Sequence, residues 1–182
     1  MTDMLIVVDM QRDFVSGSLG SAEAQAIVPA VAARIHRAAE EGTQVVFTLD
    51  THEEDYLSTR EGRFLPVPHC LRGSEGWALE PEIAKACQPG MLSFEKPTFG
   101  SAKLTHYVAA AAAKQGCPDG KGMCIELCGV CTDICVVSNA LLIKAALPEA
   151  DLIVDSSLCA GVSPARHEAA LETLRACQIE VK

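Results

Sequence analysis

The chain has 182 residues, 49% of them hydrophobic and 21% charged, with a formal net charge of −9 at pH 7. That length fits one domain, residues 1–182, able to bury a proper core, and the composition is that of an ordinary globule. The negative charge speaks against a general nucleic-acid binder, which needs a basic face to neutralise phosphates, and against adsorption to anionic lipid.

The N-terminal stretch MTDMLIVVDMQRDF has no basic leader region, and its apolar run, residues 4–8, is too short for a signal sequence. No other run approaches the roughly 20 apolar residues of a membrane span, so no membrane partner and a cytoplasmic location are expected. There are nine cysteines, an odd number. Disulfide frameworks belong to small secreted domains, so most of these thiols are expected to be reduced and buried, with one available as a nucleophile.

The first candidate strand covers residues 5–8 and ends at Asp9. A helix follows with Ile27, Val31, Ile35 and Ala38 on one face and Gly42 as its stop. Residues 44–49 form a second strand ending at Asp50, and residues 91–95 a weaker third reaching Lys96. Ala102–Lys114 is an alanine-rich helix, residues 123–127 a fourth strand, and residues 133–146 a helix halted at Pro148. Residues 152–154 are a fifth strand. A last helix opens at Ser163-Pro164, a cap residue followed by a first-turn proline, and residues 179–181 complete six candidate strands. Strands alternating with helices predict a doubly wound α/β domain, a six-stranded parallel sheet with helices on both faces. Such sheets bind ligands at the carboxyl ends of their strands. Asp9, Asp50, Lys96 and the segment 128–135 all fall there. One polar residue closing a strand simply begins a loop; four such positions on one edge suggest a site.

Within Cys128-Gly129-Val130-Cys131-Thr132-Asp133-Ile134-Cys135, Gly129 permits a tight turn and a helix begins near Thr132 or Asp133. A cysteine in a first helical turn meets the positive end of the macrodipole, which favours thiolate. The rival reading is a metal or redox cluster of Cys124, Cys128, Cys131 and Cys135. Four residues along a strand span about 13 Å, whereas thiolates sit about 2.3 Å from a shared zinc. Cys124 and Cys128 therefore cannot share an ion if their strand is real. Separately, Asp50-Thr51-His52 puts a carboxylate and an imidazole on one face of an extended segment. His69, in Pro66-Val67-Pro68-His69-Cys70, can supply a third ligand from a loop and leave open positions on a divalent ion.

Asp9-Met10-Gln11-Arg12-Asp13-Phe14, followed by Gly17-Ser18-Leu19, resembles the opening motif of the isochorismatase-like cysteine hydrolases. Lys96 before Thr98-Phe99-Gly100, and the segment from Gly129 to Val136, resemble their second and third motifs. The likeness runs in order along essentially the whole chain. It implies a Rossmann-like hydrolase fold with Cys135 as nucleophile and Cys131 at a place usually held by a small or apolar residue. It also implies a cis peptide between Val130 and Cys131, with the N–H groups of Cys131 and Cys135 forming an oxyanion hole. Asp9 would accept the thiol proton and pass it to the leaving amine, and Lys96 would keep Asp9 ionised. Alone, Asp9 and Lys96 would read as a structural ion pair.

The Asp50, His52 and His69 pattern is similar to the metal site of nicotinamidases, where the ion holds a pyridine nitrogen. Zinc is expected there, with manganese or iron as alternatives. Nicotinamide is the leading small-amide substrate, another amide or N-carbamoyl compound the alternative, and a homo-oligomer the expected assembly. Phe14 resembles an aromatic wall of the family's pocket. Where nicotinamidases often carry a tryptophan, three residues before the second histidine, this chain has Pro66. No Gly-rich phosphate loop follows the first strand, which speaks against a nucleotide-binding module. His36, His106 and His167 read as surface or cap groups, Trp77 as packing under a loop, and the remaining cysteines as small apolar residues.

Overall fold

β1 (Met4–Val8) is apolar and buried at all five positions, as a strand covered on both faces must be. It lies at the centre of a sheet whose other strands are β2 (Gln44–Asp50), β3 (Leu92–Lys96), β4 (Cys124–Val130), β5 (Asp151–Ala160) and β6 (Glu180–Val181). The computed structural model describes residues 2–182; Met1, part of the expected 1–182 span, lies outside the described residues. All pairings are parallel, in the order β3-β2-β1-β4-β5-β6, and helices cover both sides. The doubly wound, six-stranded sheet read from the sequence is the fold that forms.

The helices are α1 (Arg12–Val15), α2 (Ala22–Glu40), α3 (Arg60–Phe64), α4 (Pro81–Ala86), α5 (Ala102–Lys114), α6 (Val137–Ala146) and α7 (Pro164–Ala176). α2 starts where the Ser21 hydroxyl accepts the Ala24 N–H at 3.0 Å. It ends at Gly42, whose φ of +75° suits glycine. There the Thr43 N–H reaches back to the Ala38 carbonyl at 2.9 Å and closes the last turn. Between its ends Ile27, Val28, Val31, Ile35 and Ala38 are buried against the sheet. Each such aliphatic side chain contributes about 1.5–3 kcal/mol of burial. Among the described residues no helix is long and apolar enough to cross a membrane.

Two elements differ from the sequence reading. β5 runs on to Ala160 instead of stopping at Val154, through a register shift opposite Leu127 and Gly129. Polar Asp155, Ser156 and Ser157 hide that continuation from a pattern of apolar residues. The helix expected from residue 133 begins as a π-helical turn, Thr132–Val136, before α6 proper.

The chain leaves β3 at one edge and returns as β4 beside β1, so the sheet's direction of growth reverses between β1 and β4. The crevice beyond the carboxyl ends of these two strands is where doubly wound sheets bind ligands. Their ends are level, with Val8 opposite both Thr48 and Gly129, and Asp50 opposite Lys96. Gly129 has φ +115°, and a Cβ there would lie 2.1 Å from the Val8 carbonyl oxygen, so only glycine lets β4 approach β1 this closely.

Candidate active site

Asp9 follows β1 with φ +48°, a left-handed backbone that a non-glycine residue holds only where its surroundings fix it. Here its N–H meets the Thr48 carbonyl at 3.2 Å, and the Thr48 hydroxyl donates to Asp9 Oδ1 at 2.6 Å. The other carboxylate oxygen lies 2.7 Å from Lys96 Nζ, at the end of β3. The same ammonium is 3.2 Å from Asp50 Oδ1 and 3.5 Å from Cys135 Sγ. Asp9, Asp50, Lys96 and Cys135 are all at most 5% exposed. One cation thus serves three groups able to carry negative charge, away from water.

The electrostatics follow from that shortage. Burial raises the Asp9 carboxyl above its ordinary value, against the pull of Lys96. Burial also raises the Cys135 thiol, and the neighbouring Asp9 charge adds to it while Lys96 opposes. Burial works to deprotonate Lys96, but the charges around it prevail and hold it protonated. Asp9 and Cys135 are thus both raised beside a protonated Lys96.

Asp50 also faces the other way. Its Oδ2 lies 2.9 Å from His52 Nε2 and 3.4 Å from His69 Nε2. Glu61 Oε1, from α3, is 3.7 and 3.9 Å from those nitrogens. One ligand atom from each of Asp50, His52, Glu61 and His69 lies within 4.8 Å of the others. Burial would raise Asp50, yet hydrogen bonds from both histidines and the Lys96 charge outweigh it and hold this carboxyl low. Glu61 is raised, first by burial and then by Asp50, the repulsion of two carboxylates that a cation between them would relieve. His69 Nδ1 donates to the Val67 carbonyl at 2.8 Å, which turns Nε2 toward the group. Two imidazoles and two carboxylates suit a divalent ion of borderline softness. Glu61 escaped the sequence reading because loop packing, not chain spacing, brings it to His52 and His69; its one local cue is Thr59, which caps α3.

Several supports of these groups were also not legible. Gln11 receives the Asp50 N–H at 2.7 Å and donates to the carbonyls of Asp50 and Trp77 at 2.9 and 2.8 Å. Trp77, read as loop packing, donates its indole N–H to Thr51 Oγ1 at 2.9 Å. His167 is half-buried rather than a plain cap, with Nδ1 2.8 Å from Thr132 Oγ1 at the start of the turn that carries Cys135. Cys70, at φ +46°, gives its N–H to Asp13 Oδ2 at 2.8 Å, which anchors the loop carrying His69.

Asp50, His52, Glu61, His69 and Cys135 line a cavity of about 780 Å³, and so do Phe14, Val130 and Cys131. The Val130–Cys131 peptide is cis. Phe14 packs its ring 5.4 Å from that of His69 while also touching the core. Tyr56, unremarked in the sequence, packs its ring 4.7 Å from His52 and 4.9 Å from His69. Burial pushes the Cys131 thiol up to about 12. The nine cysteines are free, and Cys124 and Cys128 lie on β4 as expected.

The family model that matches the chain is the isochorismatase domain, over residues 3–181. An isochorismatase-family protein of Bacillus subtilis (strain 168) is 30% identical over 149 residues, 78% of each chain. The crystal structure of the pyrazinamidase of Pyrococcus horikoshii in complex with zinc is similar at a TM-score of 0.80 and 28% identity, covering 98% of this chain and 97% of that one. The pyrazinamidase/nicotinamidase of Streptococcus mutans UA159 gives a TM-score of 0.82 and 25% identity, covering 98% of this chain and 99% of that one. The N-carbamoylsarcosine amidase of Thermoplasma acidophilum, at 24% identity and a TM-score of 0.77, shares the fold over 100% of this chain and 96% of its own.

Proposed function

This chain belongs to the isochorismatase family, and on that premise we propose that it is a metal-assisted cysteine amidohydrolase, with nicotinamide as its leading substrate. The observation that carries the reading is the Lys96 ammonium held 2.7 Å from Asp9 and 3.5 Å from Cys135 Sγ. A lysine that only balanced one aspartate would have no need of a thiol beside it.

In the proposed reaction the Cys135 thiol gives its proton to Asp9 as sulfur attacks the amide carbonyl. Lys96 stabilises the thiolate as it forms. The carbonyl oxygen takes the electron pair and is met by the backbone N–H groups of Cys131 and Cys135. Asp9 returns the proton to the leaving nitrogen, the C–N bond breaks, and ammonia departs from a Cys135 thioester. Asp9 then takes a proton from water, which attacks the thioester; the acid leaves and the thiol is restored.

Asp50, His52 and His69 would hold a divalent ion, zinc first and manganese or iron otherwise, with Glu61 as a fourth donor. When bound, the ion would supply a positive centre for a basic heteroatom of the substrate. The pyrazinamidase from P. horikoshii, which binds zinc, supports that choice. Pro66, in place of the tryptophan expected beside a nicotinamide ring, favours a second reading in which an N-carbamoyl compound or another small amide is the substrate. A single-domain, cytoplasmic, homo-oligomeric protein acting in nicotinamide salvage completes the proposal.

Ammonia release from nicotinamide, pyrazinamide and a panel of N-carbamoyl compounds by the zinc-loaded protein tests it. Turnover of nicotinamide is the expected result. Turnover of N-carbamoyl compounds alone would move the substrate, and silence on every amide with zinc, manganese and iron would overturn the reaction.

A further inference from the structure

Asn139 is fully buried in α6, one turn after Cys135. Its Nδ2 donates to the Cys135 carbonyl at 2.8 Å and to the Phe99 carbonyl at 3.2 Å, while its Oδ1 accepts the Ser101 N–H at 2.9 Å. Two carbonyls and one N–H around the amide leave it only one way round, with both donors and its acceptor in use. A single side chain thus ties the backbone of Cys135 to the segment that leaves β3 just past Lys96.

The local structure at each end depends on such a tie. Cys135 lies in the π-helical turn Thr132–Val136, which passes directly into α6. There the carbonyls of Ile134 and Cys135 each meet a side chain from four residues on, the Ser138 hydroxyl at 2.6 Å and the Asn139 amide at 2.8 Å. Bonds of this kind compete with the main-chain ladder and bend a helix, so they help to set how the turn presents its sulfur. At the other end, Pro97, Thr98 and Phe99 line the cavity. Gly100 lets their loop lie against α6, since a Cβ there would come 2.5 Å from Leu142 Cδ1. Ser101 then caps α5 by accepting the Leu104 N–H at 3.1 Å.

Lys96 Nζ and Cys135 Sγ, 3.5 Å apart, therefore sit on the two segments that Asn139 joins. A lysine side chain is long and flexible. A fixed contact with the thiol needs the strand end and the Cys135 turn to be held at one spacing. None of the three Asn139 bonds reaches Asp50, His52, Glu61 or His69.

We propose that Asn139 is a positioning residue, which holds the Cys135 sulfur against Lys96 for attack on the amide. Its part in turnover rests on the amidohydrolase reading; its tie between the two segments does not.

The test compares the wild type with two variants. Asn139→Leu is close in shape and has no polar atoms. In Asn139→Thr the hydroxyl can still donate to the carbonyl four residues back, but it is too short to bridge to residues 99–101. The constants kcat and KM are measured per folded molecule and at equal zinc content, for the amide of the panel above that the wild type turns over fastest. In Asn139→Leu kcat should fall about 10–100-fold, the cost of misplacing a reacting atom by about 1 Å. In Asn139→Thr it should fall about 3–10-fold, and KM should stay within about threefold of wild type in both. An unchanged kcat would overturn the positioning role and leave Asn139 a packing residue. A KM rise as large as the fall in kcat would also overturn it, and make Asn139 a support of the cavity wall alone. Hydrogen exchange at the Ser101 amide, followed by NMR, reads the tie without turnover. Exchange should be at least about tenfold faster in both variants, and equal protection would overturn the tie. Should Asn139→Leu fail to fold, Asn139→Thr decides both measurements. Silence of the wild type on every amide, with faster Ser101 exchange in the variants, would sink the amidohydrolase reading and leave the tie standing.

Discussion

Among the described residues two groups of charged side chains are buried, one beside the start of β1 and one beyond its carboxyl end. Arg34 of α2 meets Glu126 of β4 through two hydrogen bonds, at 2.8 and 2.9 Å. One cation faces one buried carboxylate there, with the exposed Glu41 a further 3.7 Å from its guanidinium, and Arg34 is held more firmly protonated, chiefly by its bonds to Glu126. At the carboxyl ends of the strands, Lys96 is divided among Asp9, Asp50 and Cys135. In the first group the buried charges pair one to one. In the second, negative groups outnumber the cation; burial first, and neighbouring negative charge after it, raises both Asp9 and Cys135, the two groups between which the proposed reaction moves a proton. Balance makes a buried ion pair a piece of architecture, and imbalance makes it a reagent.

Substitutions can break the contrast. Lys96→Met should have the largest effect, because it leaves two buried carboxylates without their cation. Turnover should fall at least about 10³-fold and stability by about 3–5 kcal/mol, read by amide hydrolysis and by urea unfolding. Glu126→Gln should cost a similar 3–5 kcal/mol in unfolding experiments while the folded fraction keeps its specific activity; lost activity per folded molecule would mean that the two groups are not separate. Next in size, His52→Ala should strip the bound metal, measured by elemental analysis, and Glu61→Gln should weaken metal binding by about 10–100-fold. Unchanged stoichiometry in His52→Ala would remove the site. Cys131→Ala should be the mildest, a change of a few-fold in kcat/KM, because its raised thiol contributes only a wall and a backbone N–H. A loss as large as that of Cys135 would mean the wrong sulfur had been chosen.

The sequence and the structure agree best where local pattern decides the outcome. β1 and β2 are apolar runs rich in β-branched residues, so Asp9 and Asp50 could be placed at strand ends, and the strand-end rule then put them with Lys96 and the segment 128–135. α5 could be read to its limits because alanine spacing and the Ser101 cap define it locally. The readings that failed depend on how distant loops fold onto each other. Glu61 and Trp77 act on Asp50 and its neighbours only because residues 51–80 wrap back over the end of β2, and Gln11 does so because the chain leaving β1 passes the end of the adjacent β2. His167 reaches Thr132 because α7 packs beside the nucleophile's turn. The second half of β5 pairs through its main chain and needs no apolar side chains to announce it.

The central claim is that Cys135 performs covalent amide hydrolysis, and it is tested most directly by ammonia release from nicotinamide and the amide panel, comparing wild-type and Cys135→Ala proteins of equal metal content. The account predicts release by the wild type and none above background by the variant, with metal content and unfolding midpoint unchanged. Release by Cys135→Ala at a rate near that of the wild type would contradict it.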